Sequence, residues 1–168
     1  MNHIDFVNRF EVVSNPARGN CLFESVSYLF NRLSRDNEQM LSQEDVRVLI
    51  WSFYKDFNRG INYPEGTIES AILLGLLFDN DDEGDNGEIK KHDDNVANDK
   101  VWGSMIDLLV CSILFNVDIC LYKKSNKDGS IDVEHIKNRR KNKKNKQKQT
   151  MNILFTGSNH FEALNVKR

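Results

Sequence analysis

An α/β fold is predicted by three observations. Apolar residues recur at helical spacing in several stretches between Cys21 and Phe115, short alternating segments crowd the last third, and 168 residues suffice for one domain with a proper core. The first helix is expected from Cys21, where Leu22, Val26, Leu29, Phe30 and Leu33 repeat at three and four and make one face apolar. Ser42 before Gln43-Glu44-Asp45 reads as a capping box for a second helix. Its buried face would be Val46, Leu49, Ile50, Phe53 and Phe57, and Arg59-Gly60 would end it. After the turn Tyr63-Pro64-Glu65-Gly66, Thr67 can cap a third helix through Ile68, Ile72, Leu73, Leu76 and Leu77. Ser104 and Asp107 fit the capping box of a fourth, with Met105, Ile106, Leu109, Ile113 and Leu114 on its apolar surface. Strands are expected over Val117–Tyr122, Ile131–Glu134, Met151–Phe155 and His160–Val166, with Thr156-Gly157-Ser158-Asn159 turning the chain into the last.

The reactive residue types stand at two places in this plan. Gly19-Asn20-Cys21-Leu22 sets a thiol at the join of a tight loop and a helix, where unpaired N–H groups and the positive dipole end favour a thiolate. Gly19 permits a backbone that a Cβ would resist, and a turn there can aim successive N–H groups at a developing oxyanion. His160 opens an alternating segment, and an imidazole is the side chain that titrates nearest neutral pH, as a base for the thiol should. Residues i and i+2 share a strand face, so Glu162 can stand beside the ring and fix its orientation. Cys21, His160 and Glu162 are therefore the candidate catalytic residues of a thiol protease.

Three blocks in order give this chain a resemblance to the ovarian tumour (OTU) family of cysteine proteases. Gly19-Asn20-Cys21-Leu22-Phe23 is similar to the family's Asp-Gly-Asn-Cys-Leu/Phe-Phe/Tyr box. Trp102-Gly103, followed by a helix and an apolar strand, is similar to its Trp-Gly-x-x-x-Glu-Leu pattern, and Asn159-His160-Phe161-Glu162 resembles its terminal His-Tyr-Asp or His-Tyr-Asn motif. The likeness spans Val13 to Val166. It implies a papain-like fold, helices around a small mixed sheet, with the cleft between the Cys21 helix and the His160 strand. It also implies hydrolysis after the C-terminal glycine of ubiquitin or a ubiquitin-like protein, without a cofactor.

In that scheme Cys21 attacks the carbonyl, His160 takes and returns a proton, and Glu162 orients His160. Arg18, Gly19 and Asn20 form the oxyanion loop, and Trp102 and Gly103 border the channel for the substrate's C-terminal tail, while the Trp102 indole, standing before a helix, is also expected to staple the loop to the core. Two positions depart from the pattern. Arg18 replaces an aspartate that commonly steadies the loop, and Glu162 is one methylene longer than the usual Asp or Asn. At Arg18 two readings stand, a cation near the oxyanion and an exposed side chain with no part in catalysis. They leave two functions open, a deubiquitinase or an inactive OTU-fold protein that binds ubiquitin.

Composition narrows the setting. Without an apolar run of roughly 18 residues no membrane span is expected, and Met1 to Asp5 lacks the features of a signal peptide, so a cytoplasmic monomer is expected. Cys111 and Cys120 are read as small core residues, and no metal-ligand pair occurs, so no metal is expected. An acidic loop at 79–99 and a basic low-complexity loop at 137–150 are read as solvated. The acidic loop could instead attract the arginines of a ubiquitin tail, and the basic one could serve as a nuclear signal. A net charge of −2, with no aromatic residues in the basic run, makes nucleic acid an unexpected partner. The abundance of Asn and Lys fits an AT-rich genome, as in a virus or a parasite.

Overall fold

A computed structural model describes residues 1–16, 18–34, 40–58, 95–125, 129–138, 149–157 and 160–167. The expected helix beginning at Thr67 and most of both charged loops lie outside them. Among the described residues the order is α1 (His3–Arg9), β1 (Phe10–Val13), α2 (Cys21–Leu33), α3 (Gln43–Asn58), α4 (Met105–Leu114), β2 (Asp118–Lys124), β3 (Ile131–Ile136), β4 (Thr150–Thr156) and β5 (His160–Val166). The strands make one mixed sheet in the order β1-β5-β4-β2-β3. Only β2 and β4 run parallel, and the remaining neighbours pair antiparallel.

Strand alternation gives the sheet two apolar faces. Ile119, Leu121, Met151, Ile153, Phe161 and Ala163 join Cys21, Leu22, Phe23 and Val26 of α2 and Val46, Ile50, Leu108 and Cys111 in the main core. Tyr122, Ile131, Leu154 and Leu164 point the other way and close over Phe6 of α1 and Phe10 of β1. A seven-residue helix and a four-residue strand at the chain start carry little periodicity, and neither was expected. β1 exists because β5 lies beside it, with Phe10 opposite Val166 and Val13 opposite Ala163.

The capping boxes form as expected. Asp45 N–H donates to Ser42 Oγ at 3.1 Å and Ser42 N–H donates to Asp45 Oδ2 at 2.8 Å. Ser104 and Asp107 make the same reciprocal pair ahead of α4. On α3 the buried stripe differs from expectation, since Val46, Arg47, Ile50 and Tyr54 are inside while Leu49 is 37% exposed. Leu49 faces outward because the helix rests on α2 and α4 along the neighbouring stripe, where Tyr54 Oη donates to Asp107 Oδ1 at 2.7 Å. Cys111 is a core residue as expected. Cys120 is only partly buried, on the second face, with its sulfur 3.3 Å from His135 Nδ1. Asn138 and Thr150, at the ends of the expected basic loop, belong to ordered structure. Asn138 is buried with its amide on Ser112 O at 2.6 Å, and Thr150 opens β4. No helix among the described residues is long and apolar enough to cross a membrane.

Candidate active site

The site forms where the first turn of α2 meets the start of β5. Cys21 is the first residue of α2, and Asn20 before it makes no side-chain cap, so the first-turn N–H groups are left for the thiol. Backbone N–H groups of Leu22, of Cys21 itself and of Phe161 all point at the sulfur and favour its ionised form. Burial outweighs them. With the residue 1% exposed, desolvation raises the thiol pKa above its ordinary value, and the Glu24 carboxylate adds to the rise.

The Phe161 N–H at the sulfur places the neighbouring residue, His160, at the same end of α2, although 139 positions separate it from Cys21 in the chain. Glu24, one turn into α2, has its carboxyl pKa raised by desolvation and by Glu44, with Arg47 and, more weakly, His160 acting against the rise. Glu162 Oε1 lies 3.6 Å from His160 Nε2, as i and i+2 on one strand require. The other ring nitrogen, Nδ1, is buried and has no hydrogen-bond partner among the described residues. One imidazole edge therefore faces a carboxylate while the other carries no partner among the described residues.

Asn15, which carried no signal in the sequence, pins the two elements together. Its Nδ2 lies 3.1 Å from Cys21 O, 3.0 Å from Ser25 Oγ and 3.1 Å from Phe161 O. The loop before Cys21 is held from the other side. Gly19 has φ +85°, where a Cβ would also collide with the Lys100 carbonyl, so no other residue fits. Asn20 Oδ1 accepts from Lys100 N–H at 2.9 Å and from Arg47 Nη2 at 2.6 Å, and its Nδ2 donates to Asp99 Oδ1 at 2.6 Å. Arg18 is exposed, and its side chain makes no hydrogen bond or ion pair with a described residue.

Trp102 and Gly103 run past the same turn. Trp102 is 45% exposed and staples nothing to the core, whereas Gly103 packs so closely on Leu22 that an added Cβ would stand 2.9 Å from its Cβ. An exposed indole is thus left beside the cysteine helix. The structure gathers Cys21, His160, Glu162, Gly19, Asn20, Trp102 and Gly103 into one region and turns Arg18 to solvent. Arg47 had a legible signal, a basic residue in line with Ile50 and Tyr54 at spacings of three and seven.

A family model described as OTU-like cysteine protease matches residues 16–161. A comparison of the sequence with curated proteins finds no match. Among solved structures, the viral OTU domain protease from Dera Ghazi Khan virus is similar with a TM-score of 0.63 and 18% identity, covering 100% of this chain and 86% of that one. The viral OTU domain protease from Taggert virus gives a TM-score of 0.60 and 16% identity, covering 96% and 82%. An OTU deubiquitinase from Wolbachia pipientis wMel, solved bound to ubiquitin, gives 0.60 and 15%, covering 94% and 96%. At these identities the likeness is one of fold. The family match extends from Pro16, just ahead of the Gly19-Asn20-Cys21 loop, to Phe161 beside the sulfur, and so takes in both halves of the site: this chain belongs to the OTU-like cysteine proteases.

Proposed function

We propose that the protein is a deubiquitinase that hydrolyses the isopeptide or peptide bond after the C-terminal glycine of ubiquitin or a ubiquitin-like protein. One observation carries the reading: a helix-start cysteine lies against the backbone beside a histidine whose far nitrogen faces a carboxylate. In the reaction Cys21 Sγ gives its proton to His160 and attacks the glycine carbonyl carbon. N–H groups around Asn20 and Cys21 hold the oxyanion, and His160 returns the proton to the leaving amine. Water, deprotonated by His160, then frees the glycine carboxylate from the thioester. Glu162 keeps the imidazole turned toward the sulfur. The exposed Trp102 beside Gly103 provides a wall against which a substrate tail of two glycines can lie.

Ubiquitin as the partner is supported by the OTU domains of like fold solved in complex with it. The domains of like fold are not all viral, so a viral source rests on the Asn- and Lys-rich composition alone. A ubiquitin probe with a thiol-reactive C-terminus should label the wild-type chain once and leave Cys21→Ala unlabelled. Labelling of Cys21→Ala would break the assignment. Binding of ubiquitin with neither labelling nor cleavage would favour the inactive binding protein.

A further inference from the structure

The one buried arginine among the described residues lies under the loop that precedes Cys21. Arg47 is 0% exposed, and all three nitrogens of its guanidinium group are hydrogen-bonded. Nη2 donates to Gly19 O at 3.1 Å, Asn20 Oδ1 at 2.6 Å and Val101 O at 2.8 Å, Nη1 to Val96 O at 2.8 Å, and Nε to Gln43 Oε1 at 3.0 Å. Its carbon stands 3.8 Å from the Phe23 ring centroid, stacked on a residue of the cysteine helix. Burying a cation is costly, and a single planar fork that satisfies acceptors from three chain segments is a use to which only arginine is suited.

The geometry of the Gly19–Asn20 peptide gives the fork its consequence. In a trans peptide the C=O and N–H point in opposite directions. A Gly19 carbonyl turned inward to Arg47 therefore turns the Asn20 N–H outward, away from the guanidinium. Glycine at positive φ lets that peptide plane rotate at little cost, so its direction depends on what holds the oxygen. Position 18 does not hold it, since the Arg18 side chain is exposed.

We propose that Arg47 is the positioning residue of the oxyanion loop, holding the Gly19 carbonyl so that the Asn20 N–H faces the tetrahedral intermediate formed at Cys21. The inference rests on the hydrolase reading above. Through Val101 O the same guanidinium sets the approach of Trp102-Gly103, so one side chain aligns both walls beside the thiol.

Arg47→Lys keeps the charge and loses the fork, and kinetics on a ubiquitin C-terminal fluorogenic amide test it. We expect kcat to fall about 100-fold or more, as when one oxyanion donor is lost, with KM within about 3-fold. Alkylation of Cys21 by iodoacetamide, which forms no oxyanion, should stay within about 2-fold of wild type, because thiolate formation does not need the loop. Unchanged kcat overturns the proposal, and so does a parallel loss of kcat, alkylation and thermal stability, which marks a merely structural role. Asn20→Ala removes one acceptor of the fork and carries the same expectations on a smaller scale should Arg47→Lys not fold. Failure of the wild type to cleave would sink the hydrolase reading instead. Amide hydrogen exchange over residues 18–22 in the Cys21→Ala background then decides on Arg47. Faster exchange with Arg47→Lys supports it, and equal exchange overturns it.

Discussion

Glu162 and His160 are 3.6 Å apart, beyond the 2.7–3.2 Å of a well-formed N–H···O bond, and both side chains are partly open to water. The carboxylate therefore orients the ring more weakly than a buried triad member, whose loss costs about 10⁴-fold. Glu162→Ala should lower kcat/KM by about 10- to 100-fold, against loss of activity in Cys21→Ala and His160→Ala; a fall as deep as theirs would mean the contact closes up in the substrate complex. At the other pole of the pair, burial and Glu24 hold Cys21 as a neutral thiol near pH 7. The imidazole accordingly has a proton to remove at the moment of attack, and its unpartnered Nδ1 is the nitrogen free to receive it.

Two helices form the backing on which the cysteine helix rests. Asp107 closes the α4 capping box through Oδ2 and takes the Tyr54 hydroxyl of α3 on Oδ1, so one buried carboxylate joins a helix start to a neighbouring helix. Tyr54→Phe removes a hydrogen bond to a buried charge and should destabilise the fold by about 1–3 kcal/mol. Urea unfolding would measure the loss as a lower midpoint at unchanged slope. An unaltered midpoint would show that the hydroxyl contributes nothing to the junction.

Across the molecule, burial raises the pKa of Cys21, Cys111, Cys120 and Tyr122. Each folded group keeps its proton at a pH where the unfolded chain has released it, so stability is full below the ordinary thiol pKa and declines as pH climbs through and beyond it. Urea midpoints should fall between about pH 8 and pH 10.5, a range that spans the reference thiol and phenol values. Cys111→Ala should flatten the fall, because Cys111 is buried most completely. A flat profile in the wild type would contradict the burial of these groups. Local periodicity made part of the fold legible along the chain. The α2 apolar face, both capping boxes and β5 from His160 to Val166 are set by residues within a turn or a strand of one another, and Glu162 falls beside His160 by alternation alone. Contacts between distant segments emerged only when the chain was folded. Arg47 is inside and Leu49 outside because of where α2, α4 and residues 96–101 pack. β1 is a strand because β5 lies alongside, and Trp102 stays exposed because Gly103 takes the contact with Leu22. Side-chain spacing along a chain fixes which residues share a face, but what that face meets depends on segments far away in the sequence.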